Sequence, residues 1–568
     1  MKILEQVTKE GGVKKLNTRQ LELLSDEIRG VIVDSVLVNG GHLSSNLGVV
    51  ELVVALHYVF DFPKDKLIFD VGHQCYAHKI LTGRLDGFAR LRRSKGVAGF
   101  PKREESDYDV ANTGHASTSL SIACGLSRAM HDCEIISVVG DGAMTGGLIY
   151  EALNDIAVGK NKQIVIINDN KLSISYNQGF VSYYLSQLSK SQEGKSLQEI
   201  GLDFYGSIDG HDFNQLIKAL QYAKESTTSV VIHVSTVKGK GYAPAEQDPV
   251  AYHGYSTSSP QKTFSSTFGD KIVDLASKNQ DIWAITAAMK EGVGLNEFAR
   301  LYPDRFVDVG IAEGHAVTMA SGLALGGKRP IFAVYSSFLQ RAFDNLLHDV
   351  CLNDLPVIIC EDRSGIVGED GETHQGIYDV SFLACMPNIV VMQPKDYLEL
   401  DDMMDYALTL DHPTVIRYPK GDIKTIYDSH ATIELGKYEF LRYSKTNTIT
   451  LIAGGATVME QAYNAVNEAQ KQGYNVNLIN ARFVKPIDQD ALDLVKDTTV
   501  VVLEDNVQRG SLGEAIGNFY ANRNLGTHVI ALNLGDGTHS QADKSEILAD
   551  YSLDSKSIFD FIVTHYAH

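Results

Sequence analysis

Residues 134–170 are EIISVVGDGAMTGGLIYEALNDIAVGKNKQIVIINDN. Two apolar runs, IISVVG and IVIIND, flank a segment whose apolar residues recur at helical spacing, so the stretch predicts a strand–helix–strand unit with both strands buried. Each strand stops abruptly in small acidic or amide residues, Gly140-Asp141-Gly142 after the first and Asn168-Asp169-Asn170 after the second. Ligands of open parallel sheets lie beyond the carboxyl ends of the strands, so Asp141 and Asn170 are expected on one sheet edge. A carboxylate and an amide oxygen held there form an all-oxygen site suited to Mg²⁺, which completes its octahedron with phosphate oxygens and water. Gly140 and Gly142 let the backbone come close to a diphosphate, and the helix N-terminus that follows favours negative charge. Taken alone, GDG is as readily a tight turn. The pair, one βαβ unit apart, points to a metal diphosphate.

The rest of the chain supports an α/β frame. Its 568 residues exceed one hydrophobic core and suggest several domains. Strand-like and helix-like segments alternate almost throughout, as in layered folds with parallel sheets. The first block ends near residue 262, in a Ser/Thr/Gly-rich segment, HGYSTSSPQKTFSSTFGDK (253–271), which has the composition of a linker. The second block, 263–430, has strands in DIWAITAAM, RFVDVG, RPIFAVYS and LPVIICE, with helical spacing in SSFLQRAFDNLLHDVCLND. The third, 431–568, restarts a βαβ unit at TITLIAGGATVMEQAYNAVNEAQKQGYNVNLINARF. Residues 177–200, polar with scattered aromatics, fit either a mobile excursion or a short helical insertion. A net charge of −20 argues against a nucleic-acid binder. No apolar run is long enough for a membrane span, and the N-terminus carries no signal-peptide core. The six cysteines form no CxxC pair, and most sit in apolar context, which fits a reducing cytoplasm.

The GDG…NDN pair resembles the thiamine diphosphate motif. That resemblance implies Asp141 and Asn170 as metal ligands, with the main-chain carbonyl of Leu172 as a third. Thiamine chemistry also needs a carboxyl group in a dry place, on a different element, to hydrogen-bond the aminopyrimidine ring. Glu313, in FVDVGIAEGHAVTMASGLAL, follows an apolar strand and heads a small-residue helix; without the rest of the site it is an ordinary helix-dipole partner. Phe338 in VYSSFLQRAFD can stack on the pyrimidine, or can be plain core.

A longer ordered set extends the likeness. GGHLSSNLGVVEL, FDVGHQCYAHKILTGR, NTGHASTSLSIACGL, VKGKGYAPAEQDPVAYH, VDVGIAEGHAVTMASGLAL, YSSFLQRAFDNLLHDV and EDRSGIVGEDGETHQGIYD together resemble the 1-deoxy-D-xylulose-5-phosphate synthase family over essentially the whole chain. The resemblance implies three consecutive doubly wound α/β domains of the transketolase-like, thiamine diphosphate-binding fold, with the cofactor between the first two. It implies a cytoplasmic homodimer that uses thiamine diphosphate and Mg²⁺. Pyruvate is condensed with D-glyceraldehyde 3-phosphate, with loss of CO₂, to 1-deoxy-D-xylulose 5-phosphate for isoprenoid synthesis. His73, Gly114, His115 and Ala116 are then expected along the diphosphate and thiazolium, Gly142 and Ala143 as backbone contacts, and Lys238 and Tyr242 over the phosphates. Tyr335, Arg341, Arg363 and Arg417 are candidates for the substrate phosphate, since a guanidinium fork matches phosphate oxygens. His42, His253, Asp370 and His374 are expected near the reacting carbons, with Asp370 orienting His374.

The chain departs from that family in places. EGHA replaces the usual EQHA, so Gly314 removes a side chain beside Glu313; Ala77 stands where Pro is usual, and Gly510-Ser511 where GG is common. The third block's changes are expected to affect assembly more than chemistry. The alternatives are transketolase or a 2-oxo acid dehydrogenase-like enzyme, and a thiamine diphosphate-binding relative that has lost turnover.

Overall fold

The computed structural model describes residues 3–10, 12–172, 179–191, 194–257, 262–422, 427 and 431–566. Two compact units are present: Met1–Ser259 with Gly310–Ala312, and Pro260–Val309 with Glu313–His568.

The first unit is built on five strands, β1 (Lys66–Phe69), β2 (Ile135–Gly140), β3 (Ile164–Asp169), β4 (Asp203–Asp209) and β5 (Val230–Ser235), ordered β1-β2-β3-β5-β4 and all parallel. The quoted stretch supplies β2, the helix Gly147–Val158 and β3. Alternate side chains leave opposite faces of the sheet. Ile136, Val138, Ile164 and Ile166 join one core with Leu24, Ile28 and Leu52 of the helices Thr18–Asn39 and Val50–Val59. Val139, Val165 and Ile167 join another with Leu120 and Ile149 of Ser119–Ala129 and Gly147–Val158. Helices therefore cover both faces, and each fully buried Val or Ile contributes roughly 1.5–3 kcal/mol. That double cover makes both strands apolar runs, and their polar ends lie where the sheet stops.

In the second unit, β6 (Ile282–Thr286), β7 (Phe306–Asp308), β8 (Arg329–Tyr335), β9 (Ile358–Asp362), β10 (Val390–Met392) and β11 (Thr414–Tyr418) form a parallel sheet. A third sheet contains β12 (Glu439–Arg442), β13 (Ile449–Ala453), β14 (Asn477–Asn480), β16 (Thr499–Leu503) and β17 (Val529–Leu532), ordered β12-β14-β13-β16-β17. The intervening β15 (Phe483–Lys485) crosses to the second sheet and pairs antiparallel with β10, giving β15-β10-β11-β9-β8-β6-β7. β12 is also antiparallel to β14, so both of these sheets carry one reversed edge strand that the expected plain double winding lacks. A buried charge cluster ties the two sheets: Arg482 pairs with Glu399 at 2.7 Å and Glu439 at 3.2 Å, and Lys395 with Glu439 at 2.8 Å. Removing one member would strand a buried charge, so the cluster fixes register more than it adds net stability.

Two sequence expectations change. Half of the expected linker is helix: Phe264–Lys278 starts at Thr263, whose side chain accepts from Ser266 N at 3.0 Å while Ser266 Oγ accepts from Thr263 N at 2.9 Å. Ser and Thr serve both loops and helix caps, and the fully buried Phe264 and Phe268, four apart, decide for the cap. Of the two readings of 177–200, the described residues form helices, Gly179–Ser191 and Lys195–Glu199, while 177–178 and 192–193 lie outside them.

Candidate active site

At the carboxyl edge of the first sheet, Asp141 N donates to Asn168 O at 3.1 Å, carrying the β2–β3 ladder one step past the strand ends. The Asp141 carboxylate accepts from Gly142 N at 2.7 Å and from Asn170 N at 2.9 Å, so both expected metal-binding residues are tied together. Asn170 Oδ1 in turn accepts from Leu172 N at 3.1 Å, an Asx turn that brings Leu172 to the same edge. Burial, then the charge of Asp169, push the Asp141 carboxyl up to about 7; its 2% exposure leaves no water to compensate. A divalent cation would relieve that penalty. The space a Cβ would take at Gly140 is open, as a close-lying diphosphate requires. Among the described residues no group of three or more His, Cys, Asp or Glu is arranged for a metal. Asp141, Asn170 and a main-chain oxygen could hold a cation at this edge together with phosphate oxygens, a donor set that would suit Mg²⁺.

The neighbouring strand ends feed the same edge. After β1, the fully buried Asp70 accepts from Ser117 N at 2.6 Å and Ser119 N at 3.0 Å, which holds the Gly114-His115-Ala116 turn. Ser117 Oγ donates to Ala143 O at 2.8 Å, joining that turn to the loop after Asp141. After β5, Thr236 Oγ1 donates to Asn168 Oδ1 at 2.6 Å, and the buried Lys238 follows. Burial brings Lys238 down to about 8 despite the attraction of Asp141. Tyr242 packs edge-on to Tyr252, with ring centroids 5.9 Å apart.

His42, His73 and His253 form a triangle of imidazoles with centroids 5.4, 5.2 and 5.7 Å apart. The fully buried Asn46 holds two of them, donating to His42 O at 2.6 Å and His73 O at 2.7 Å. Burial, then Lys238 and the other two rings, keeps His253 well below the usual histidine range, so it is neutral at pH 7. Asn46 and Asp70 position this site; both lie inside the quoted motifs GGHLSSNLGVVEL and FDVGHQCYAHKILTGR, but neither is among the expected site residues.

In the second unit, Glu313 opens the helix Glu313–Leu325 and is 3% exposed. Burial pushes its carboxyl up, and Arg341 only partly opposes this. Phe338 stacks on Tyr335 (5.7 Å, 18°) and meets His374 edge-on at 5.5 Å. The Arg363 guanidinium lies 3.7 Å from the Tyr335 ring centroid, pairs with Asp362 at 3.1 Å and donates to Gly292 O at 3.1 Å. Arg363 has φ 61°, an observed strain of the kind that clusters at ligand sites. His374 Nδ1 meets Thr373 Oγ1 at 2.9 Å, and Asp370 faces Lys420 at 3.7 Å, a cation absent from the sequence expectation.

Arg417 departs from its expected place. It is buried, and its guanidinium donates to Asp379 at 2.7 and 3.2 Å, Gln393 at 2.8 Å and Asn506 at 3.0 Å. Those acceptors engage Nε and both terminal nitrogens, so Arg417 is a structural tie rather than a phosphate ligand. The gap left by Gly314 is filled: a Cβ there would lie 2.8 Å from Asn345 Oδ1. Ser511, where Gly is common, caps Leu512–Asn522 by accepting from Glu514 N at 3.1 Å.

Largely parallel sheets, together with the family patterns they match, place the chain in the transketolase-like class of α/β proteins. The family pattern described as 1-deoxy-D-xylulose-5-phosphate synthase matches residues 4–199 and 190–236, that of the transketolase pyrimidine-binding domain 261–425, and that of the transketolase C-terminal domain 436–558. A 1-deoxy-D-xylulose-5-phosphate synthase of Clostridium tetani is 44% identical over 96% of this chain and 97% of its own length, and that of Clostridium beijerinckii 42% over 100% of both. A transketolase structure from Campylobacter jejuni aligns over 97% of this chain and 100% of its own at 18% identity and a TM-score of 0.45, a likeness too distant to bear on function. The chain belongs to the 1-deoxy-D-xylulose-5-phosphate synthase family.

Proposed function

We propose that the chain condenses pyruvate with D-glyceraldehyde 3-phosphate, with loss of CO₂, to give 1-deoxy-D-xylulose 5-phosphate, using thiamine diphosphate and Mg²⁺. The observation that carries this reading is Glu313, a buried carboxyl whose pKa is raised by burial, at the head of a helix. That is the state of an acid suited to share a proton with a heterocyclic ring nitrogen. Bound thiamine diphosphate supplies the electron sink that decarboxylation of a 2-oxo acid requires. Asp141, Asn170 and the Leu172 carbonyl would hold Mg²⁺, and Lys238 the diphosphate. Phe338 offers its ring to the pyrimidine.

The rest follows from the protonation states of this chain's own groups. His253, kept neutral by burial and by Lys238, offers an unprotonated ring as a hydrogen-bond partner for a substrate hydroxyl or carbonyl, and His42 and His73 pack beside it. His374 and Asp370 stand on the loop that starts at Arg363, whose planar fork suits the phosphate of the aldehyde. Tyr335 supports that guanidinium from beneath its plane. We take 1–262, 263–430 and 431–568 as the working modules, a division supported by the three sheets. We also take the assembly as a cytoplasmic homodimer; among the described residues no helix is long and apolar enough to cross a membrane.

The test supplies the purified chain, loaded with thiamine diphosphate and Mg²⁺, with pyruvate plus glyceraldehyde 3-phosphate, and separately with xylulose 5-phosphate plus ribose 5-phosphate. Product and CO₂ from the first pair alone support the proposal. Turnover of the second pair alone would make the protein a transketolase, and cofactor binding without turnover a relative that has lost its chemistry.

A further inference from the structure

The loop that leaves β9 at Arg363 and ends at Ile377 carries Arg363, Asp370 and His374, and its shape is set from the third sheet. Gly365 and Gly376 close its base reciprocally, Gly365 N to Gly376 O at 2.6 Å and Gly376 N to Gly365 O at 2.9 Å. The segment that leaves β16 lies against that base. Asp505 Oδ2 accepts from Ile366 N at 3.3 Å, and Val507 N donates to Ile377 O at 3.1 Å. A Cβ on Gly365, whose φ is +74°, would sit 2.0 Å from Asp505 Oδ2. Farther round, a Cβ on Gly368 (φ +97°) would lie 3.1 Å from Ala542 O, and one on Gly371 (φ +73°) 3.4 Å from Gln541 N. Three left-handed glycines thus let the loop backbone lie against segments of the third block, and at Gly365 the approach leaves no room for a side chain. The seat itself is rigid: Asp505 is 4% exposed, and its neighbour Asn506 accepts from the buried Arg417 at 3.0 Å.

We propose that Asp505 is a positioning residue of the aldehyde-phosphate site, its carboxylate fixing the base of the 363–377 loop so that Arg363 stands where the phosphate arrives. This rests on the function proposed above and gives the third block a part in substrate selection beyond assembly. A buried aspartate that merely staples two layers would affect folding and every substrate alike. One that seats the loop affects the phosphorylated aldehyde selectively.

The experiment compares the cofactor-loaded wild type with Asp505→Ala, Asp505→Asn and Gly365→Ala. It measures the unfolding midpoint, thiamine diphosphate affinity by calorimetry, KM for pyruvate, and KM for glyceraldehyde 3-phosphate against unphosphorylated D-glyceraldehyde. Asp505→Ala is expected to raise KM for the phosphorylated aldehyde about ten-fold or more, the scale of a small misplacement of a binding group. KM for pyruvate, KM for unphosphorylated glyceraldehyde and cofactor affinity should stay within about two-fold of wild type. Asp505→Asn, which keeps an oxygen acceptor for Ile366 N, should restore most of the loss. If Asp505→Ala does not fold, Gly365→Ala, which forces the loop off the carboxylate, must show the same selective rise. An unchanged KM for the phosphorylated aldehyde, or an equal change for both aldehydes, overturns the proposal. A wild type that makes no product from pyruvate and glyceraldehyde 3-phosphate overturns the functional reading itself.

Discussion

Glu313→Gln replaces a carboxyl by an amide of the same shape, so its effects on stability and on chemistry should separate. Two terms act on stability. The ionised carboxylate at the head of Glu313–Leu325 gains about 0.3–1 kcal/mol from the helix dipole, which the amide loses. Burial opposes ionisation more strongly than the dipole and Arg341 favour it, since the pKa is raised on balance, and the amide escapes that cost. The net change near pH 7 is within about 1 kcal/mol, or no more than about 2 °C in a unit of this size. The sign depends on pH. A raised folded pKa gives stability that is fully present below the usual glutamate value of about 4.3 and is lost as pH rises through the folded value. Relative to wild type, the variant should therefore gain stability as pH climbs above about 4.3. Turnover behaves differently: without a proton to share at this position, kcat should fall about 10²–10⁴-fold, or about 2.7–5.4 kcal/mol in the barrier. The assays are calorimetric binding of thiamine diphosphate, denaturant unfolding from pH 4 to 8, and CO₂ release from pyruvate. Retained cofactor affinity with CO₂ release within three-fold of wild type would refute the role given to Glu313.

Arg363→Ala should raise KM for glyceraldehyde 3-phosphate and cost about 3–5 kcal/mol of stability, because the buried Asp362 loses its cation. Adding Asp362→Asn should return the stability without the KM, as read by denaturation and steady-state kinetics. Burial alone would raise Asp109, but its bonds with His78 and Arg84 hold it well below the carboxylate range. Its share of stability is thus present above about pH 4 and lost as pH falls; Asp109→Asn should lower the neutral-pH unfolding midpoint and flatten the acid limb below pH 4. His57, His78 and His253 are all kept neutral chiefly by burial. At these three rings the unfolded chain therefore takes up protons first, an effect of up to about 1.4 kcal/mol per pH unit for each ring below about 6.5, while the raised carboxyls of Asp141 and Glu313 act in the opposite sense. His57→Gln should therefore gain stability relative to wild type as pH drops from 7 to 5; an unchanged difference across that range would contradict that.

How much of this was legible from residues alone differed by element. β2 and β3 are plain because a doubly covered sheet demands apolar runs, and their ends are plain because polar and small residues stop such runs where the sheet stops. Local chemistry also exposed Glu313, a lone acid between an apolar strand and a small-residue helix. Residues that act across the sequence were hidden. Asn46 holds His73 from 27 residues away and Asp70 holds Ser117 from 47; both lie inside the motifs that carry the family likeness, but nothing local marks either as the tie. Arg417 is a similar case: its guanidinium fork suits a phosphate, but it sits within β11 and its partners Asp379 and Asn506 come from distant segments. Lys420 beside Asp370 was missed for want of any local signal. Residue type alone assigns Thr263 to a linker because cap and loop share the same residues, and only the packing of Phe264 and Phe268 separates them.

One reaction is central to this protein's proposed function, and a single-turnover measurement tests it. The cofactor-loaded chain is mixed with carboxyl-labelled pyruvate, with and without glyceraldehyde 3-phosphate, and released CO₂ and 1-deoxy-D-xylulose 5-phosphate are counted together. One product per CO₂ in the presence of the aldehyde phosphate is the predicted result. Folded protein that binds thiamine diphosphate yet releases no CO₂ from pyruvate under either condition would contradict it.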